Sequence, residues 1–116
     1  MRILILLAAA LLSFPVVAQP YPVKPVRIVV PFAPGGGSDF IARFTAQRLT
    51  ESLGRQVVVE NRPGAGGLLG IEAGVRADPD GYTLTLIASS YTVNPALYSL
   101  KFHPVADITP VVQISQ

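Results

Sequence analysis

Five side chains carry most of the chemistry this chain offers: Ser38, Asp39, Ser89, Ser90 and His103. Beside the first two stand three consecutive glycines, Gly35, Gly36 and Gly37, in the stretch Pro31-Phe32-Ala33-Pro34-Gly35-Gly36-Gly37-Ser38-Asp39. A phosphate-binding P-loop needs a Lys and a Ser or Thr after its last glycine. Here Ser38-Asp39 follows with no Lys, and Asp39 repels a phosphate. A dinucleotide fingerprint fits in part. Gly35 and Gly37 have its spacing, and Glu60 stands about twenty residues on, where a ribose partner belongs. Its third glycine is replaced by the bulky Phe40. A serine hydrolase would draw on Ser38, Ser89 or Ser90 with His103 as base, but the chain has no Gly-x-Ser-x-Gly elbow. A lone histidine in Phe102-His103-Pro104 reads as a loop residue. One histidine, no cysteine and scattered carboxylates make no metal site.

The glycine loop suits binding better than reaction, since it holds no Lys, His or Cys. Glycines between a strand and a helix bare the main-chain N–H groups at the helix N-terminus, where the dipole favours an anion. The amides of Gly36, Gly37 and Ser38 are placed to donate to one carboxylate, with Ser89 and Ser90 reaching it from a later loop. Asp39 has three open roles: orienting a water, serving the helix start, or accepting from a ligand amine or hydroxyl. The plainer reading is that Gly35–Gly37 only turn the chain. Both readings fit the residues.

The elements that position these groups alternate. Val26-Arg27-Ile28-Val29-Val30 reads as a largely buried strand. Ser38 is the expected N-cap of a helix running from about Phe40 to Leu53, with Asp39 in its first turn and Gly54 as its C-terminal stop. Ile41, Phe44, Leu49 and Leu53 give it one apolar stripe, and Arg43, Gln47 and Glu51 another face. Val57-Val58-Val59 forms a second strand within Gln56 to Asn61. A glycine-rich turn over residues 62–67 follows, then a short helix, about Leu68 to Ala77, weakened by Gly70 and Gly74. Asp78-Pro79-Asp80-Gly81 has the residues of a tight turn before a third strand, Tyr82 to Ile87. A helical turn near Thr92 to Leu97 and a last strand, Val111 to Ser115, complete the reading. This β-α-β-α-β order predicts an α/β fold with a parallel sheet, whose ligands sit beyond the carboxyl ends of its strands. Three loops fall at that edge: Phe32 to Asp39, Asn61 to Gly67, and Ala88 to Asn94.

The 116 residues, half of them apolar, allow one small domain. Arg2, the apolar run Ile3 to Leu12 and Val16-Val17-Ala18 have the pattern of a secretory signal peptide over residues 1–18, cleaved after Ala18. The run is short for a bilayer span and Pro15 interrupts it. Absence of cysteine excludes a disulfide framework and a lipidated cysteine after the leader, so the expected product is soluble, periplasmic and not membrane-embedded. The net charge of +2 is small and scattered, unlike a nucleic-acid footprint. The chain stops directly on a strand-like run, as the leading fragment of a longer protein would.

Four strings, YPVKPVRIVVPFAPGGGSDFIAR, VVVENRPGAGG, DPDGYTLTLIASS and FHPVADITPV, together resemble the Bug/TctC family of extracytoplasmic receptors of tripartite tricarboxylate transporters. The likeness runs from about Tyr21 to the end. It implies a two-lobed, flytrap-type periplasmic binding protein, of which residues 19–116 supply part of the first lobe and the second lobe is absent. It implies a non-enzymatic receptor with no catalytic residue, metal or cofactor. Such a receptor holds a small organic carboxylate and passes it to membrane permease subunits. Carried onto this chain, the ligand-binding residues are Phe32, Pro34, Gly35, Gly36, Gly37, Ser38, Asp39, Ala88, Ser89 and Ser90. Asn61 and Gly64 to Gly67 shape the cleft. Two other readings stay beside it: a nucleotide-dependent enzyme with a degenerate dinucleotide loop, and a truncated fragment that binds nothing.

Overall fold

The computed structural model describes residues 20–114. The expected signal peptide and its cleavage point lie outside those residues. Strand β1, Val26–Val30, is the centre of a three-stranded parallel sheet of order β2-β1-β3. Strand β2 is Val57–Asn61, with Val26 opposite Val57 and Val30 opposite Asn61. Strand β3 is Thr83–Thr85, with Arg27 opposite Thr83 and Val29 opposite Thr85. It is shorter than the expected Tyr82–Ile87, although its hydrogen bonding to β1 reaches one residue further at each end. Arg27 N donates to Tyr82 O at 2.8 Å, and Leu86 N to Val29 O at 2.9 Å.

Alternation along β1 sends its residues to two faces. Val26, Ile28 and Val30 join Val57 beneath helix α1, Gly37–Leu53, in the main core. The helix buries Ala42 and Ala46 there, with Leu49 and Leu53 packed alongside. The expected stripe is thus corrected at Phe44, which is mostly exposed under the Arg48 guanidinium, and at Ile41, which is half-buried. Small alanines let the helix axis approach the sheet, so the bulkier residues of the stripe fall to its flanks.

Helix α2, Leu68–Val75, packs against β1 and β3 and adjoins the face that carries Arg27 and Val29. Its two glycines stand at close approaches. A Cβ on Gly70 would lie 2.6 Å from Pro31 Cα and 2.8 Å from Arg62 O, and one on Gly74 would lie 1.9 Å from Thr85 Oγ1. The residues that lower helix propensity here are the ones that let the helix seat.

Beyond β3 the chain forms a 3-10 turn, Ser89–Thr92, and the short helix α3, Asn94–Leu97, rather than one turn over Thr92–Leu97. The expected last strand is corrected as well. Residues 110–114 carry no regular structure, and Val111 and Val112 are about three-quarters exposed. A β-branched run becomes a strand only when a neighbour pairs with it, and no described strand does so here.

Candidate functional site

Because all three strands are parallel, the segments that follow them leave from one edge of the sheet. The first holds the triple glycine. Gly35 has φ +88, a left-handed conformation costly for any residue with a Cβ. Gly36 is extended, at φ −86 and ψ 175, and is itself the N-cap of α1, with no side-chain cap bond. Ser38 is therefore inside the first turn and not the cap expected from sequence. The carbonyl of Gly36 already accepts the Phe40 N–H at 3.0 Å, which starts the helix a turn early. The amides of Gly37, Ser38 and Asp39 precede that first bond and have no intrahelical acceptor. They sit at the positive end of a 17-residue helix.

Asp39 lies under this loop, 4% exposed. One carboxylate oxygen accepts from the Gly35 N–H and from Arg43 Nε, both at 2.9 Å, and the other from Asn61 Nδ2 at 2.9 Å. The Arg43 guanidinium first, then the Gly35 amide and Asn61, hold the carboxyl well below the usual carboxylate range. Of its three open roles, anchoring the loop start is the one its contacts describe. Gly35 spends its amide on Asp39, while no hydrogen bond of the described residues uses the amides of Gly36, Gly37 or Ser38. Asn61 Nδ2 also donates to Phe32 O at 3.2 Å, so one side chain ties both ends of the loop. The parallel register brings it there by setting Asn61 opposite Val30.

The second loop contains a run of positive φ values: Gly64 at 133, Ala65 at 48, Gly66 at 63 and Gly67 at 93. A Cβ on Gly67 would lie 3.5 Å from the tip of the half-buried Phe32 ring, so the first and second loops touch. The second and third touch as well, 3-10 turn to 3-10 turn. In the third loop, Ala88 is extended, Ser90 half-buried and Ser89 exposed. The loop's own bonds use the carbonyls of Ala88, Ser89 and Ser90 and leave both serine hydroxyls out of them. Pro34 is exposed on the first loop. The anticipated residues thus gather along one edge in a continuous line of three loops.

Groups weighed for other chemistries are occupied. His103 Nδ1 accepts the amides of Val105 and Ala106 in an exposed turn. Glu60 is paired with Arg27 and Arg62, and the Arg62 contact chiefly lowers its carboxyl pKa. A surface groove of about 720 Å³ lies between Arg27, Glu60, Arg62, Glu72 and Arg76, and none of the open amides lines it. Each of its arginines already faces a glutamate, so it presents no free positive site. Among the described residues there is no cluster able to hold a metal ion. Nor is any helix there long and apolar enough to cross a membrane.

Two contributors escaped the sequence reading. Arg43 stood on a helix face with no assigned role, although its spacing of four from Asp39 is the signal of an acid–base pair on one helix face. Asn94 is 3% exposed at the start of α3, and nothing in the local pattern announced its burial.

Comparison with known proteins places this arrangement. Residues 41–116 match the profile of TctC, the tripartite tricarboxylate transporter family receptor. Over 113 residues the chain is 42% identical to protein BugT of Bordetella pertussis, covering 95% of this chain and 35% of BugT. The solved periplasmic binding protein BugD superposes with a TM-score of 0.70 at 43% identity, over 75% of this chain and 29% of that one. MatC of Rhodopseudomonas palustris, solved with bound malate, superposes with a TM-score of 0.72 at 39% identity, over 78% and 32%. The chain spans about a third of the length of the curated relatives it matches. With a glycine loop feeding a helix from a parallel sheet, and relatives that agree over nearly its whole length, the chain belongs to the tripartite tricarboxylate transporter receptor family.

Proposed function

We propose that residues 19–116 form part of the first lobe of a periplasmic receptor that captures a small organic carboxylate, without catalysing a reaction. One carboxylate group is gripped by the open amides of Gly36, Gly37 and Ser38, with Ser89 and Ser90 contributing from the third loop. A second lobe closes over it and excludes water, and the loaded receptor delivers its cargo to the membrane permease subunits of a tripartite tricarboxylate-type transporter. Residues 1–18 act as the export signal, removed after Ala18.

A single observation carries this reading. The long helix α1 begins at a glycine with no side-chain cap on the carboxyl edge of the sheet, while Asp39 in its first turn is buried, ion-paired with Arg43 and hydrogen-bonded by Asn61. Open donors at a helix start, with the local negative charge taken up beneath them, suit an incoming anion. Malate bound in MatC supports the carboxylate class.

The test is a nitrogen-15 amide titration of this chain with malate, and separately with NAD. Saturable shifts of Gly36, Gly37 and Ser38 with malate, and none with NAD, are expected. Malate shifts confined to the opposite edge of the sheet, or no shift at all, refute the reading. Saturable NAD shifts at Gly35 to Gly37 replace it with dinucleotide binding.

A further inference from the structure

At the amino edge of the sheet, opposite the three loops, the arm that leads into β1 is clasped to the turn that leads into β3. Tyr21 Oη donates to Gly81 O at 2.6 Å, and the Val23 N–H donates to the Tyr82 hydroxyl at 2.9 Å. Lys24 Nζ pairs with the Asp80 carboxylate at 2.9 Å and stands 4.4 Å over the Tyr82 ring. The Tyr21 and Tyr82 ring centroids are 5.0 Å apart. Pro22, between these contacts, is buried, and its carbonyl accepts from Arg55 Nε at 3.3 Å. Carboxylate capture at the opposite edge makes no use of this cluster.

Its place along the chain gives it a use. Only Gln19 and Pro20 stand between the expected cleavage point after Ala18 and the clasped Tyr21. Two residues, fully extended, reach about 7 Å. A protease takes its substrate as an extended segment that runs several residues past the cut. To enter such a cleft, residues 21–24 have to leave the clasp. The contacts of Tyr21, Val23 and Lys24 then break together, as one local opening. Cleavage of a folded chain proceeds from that opened state, at a rate set by its population.

We propose that the clasp is a maturation latch: closed, it shields the Ala18–Gln19 bond from the protease that removes the leader. The step it controls is hydrolysis of that peptide bond, in which water adds and leaves the Ala18 carboxylate and the Gln19 amine. This rests on the reading of residues 1–18 as an export signal. It adds an order of events: the leader is cut first, and the arm docks on the turn at 80–82 second. A chain that folds with its leader attached keeps it.

The experiment presents the folded full chain to a detergent-solubilised bacterial signal peptidase and follows the release of residues 1–18 by mass spectrometry. A synthetic peptide of residues 1–30, which lacks the turn at 80–82, is the open reference. The folded chain is expected to be cut at least about tenfold more slowly than the peptide. Asp80→Asn combined with Tyr82→Phe removes the charge facing Lys24 and the hydroxyl that takes the Val23 amide. It keeps the Tyr82 ring and the side-chain oxygen that accepts the Tyr82 N–H, and it leaves the cleavage segment unaltered. This double variant is expected to be cut at least about threefold faster than the parent, with its circular dichroism unchanged. Inserting Gly-Ser-Gly-Ser between Pro20 and Tyr21 leaves the clasp closed but moves the bond clear of it. That protein is expected to be cut within about threefold of the peptide, and it serves if the double variant does not fold. A folded parent cut within about twofold of the peptide, or either altered protein, folded, cut at the parent's rate, overturns the latch while the export reading stands. A peptide that is not cut after Ala18 overturns both.

Discussion

Replacing Gly36 with valine separates binding from folding. Most substitutions in a glycine loop damage the loop itself, but this position is different. Its backbone, at φ −86 and ψ 175, is extended, which a β-branched residue adopts without strain. The nearest atom to an added Cβ is Ala33 O at 3.9 Å, an ordinary contact. Neighbouring Gly35, at φ +88, offers no such freedom. Gly36→Val loses a favourable N-cap glycine and should cost about 1 kcal/mol, lowering the melting temperature by roughly 4–8 °C while the protein stays folded. Binding should suffer more. Two branched methyl groups beside the open amides hold a carboxylate away from at least one of them. A hydrogen bond to a charged acceptor is worth about 1.5–3 kcal/mol net. At about 1.4 kcal/mol per tenfold, that is a ten- to hundredfold rise in the malate Kd. Thermal unfolding followed by circular dichroism checks the fold, and the amide titration gives the affinity. A folded Gly36→Val protein that binds malate within about twofold of the parent refutes backbone capture at this bend.

Other expectations follow from the same geometry. Gly37→Ala, with nothing within 4 Å of its Cβ, should hold or raise stability by up to about 1 kcal/mol while weakening malate binding, as paired unfolding and titration curves would reveal. Gly70→Ala drives a Cβ into Pro31 and the Arg62 carbonyl, and should cost about 2–3 kcal/mol, lowering the melting temperature by roughly 10 °C or more. Gly74→Ala should be as harmful, but partly rescued by Thr85→Ala, which removes the atom 1.9 Å from the new methyl; additive losses in a double-mutant cycle would contradict the close contact. Asp39 has a folded-state pKa below its unfolded value of about 3.9. Its stabilising contribution is thus complete above about pH 4 and fades as pH falls toward the folded value, because the unfolded chain takes up the proton first. Asp39→Asn should flatten that part of the acid-unfolding profile, while Glu60 and Asp80, also depressed, keep the remainder of the slope.

Local chemistry made much of the protein legible in advance. Strand β1, the glycine bend, helix α1 and its Gly54 stop follow one another along the chain, and each depends on residues next to it. So do the β2 strand, the positive-φ turn after it and the parallel alternation, and with them the edge where a ligand belongs. What failed was any inference that needed a neighbour from elsewhere. Val111 and Val112 look like a strand but have no pairing partner. Phe44 looks like core, yet Ala42 and Ala46 meet the sheet, because contact distance and not bulk sets which stripe is buried. Gly70 and Gly74 look like flaws in a helix until the sheet is laid against them.

The site divides in the same way. The amino-acid order alone settles that a glycine-rich bend joins a strand to a helix and exposes main-chain donors, since backbone freedom and the helix dipole are properties of the segment itself. Only the tertiary structure decides how the carboxylate beside those donors is held. It does so by pairing β1 with β2 in a register that sets Asn61 beside Val30, where it meets Asp39 and Arg43. It also decides that Asn94 is buried against Gly66. The Asn61 side-chain bonds link residues 18 to 29 positions apart, and their geometry exists only once the sheet has formed.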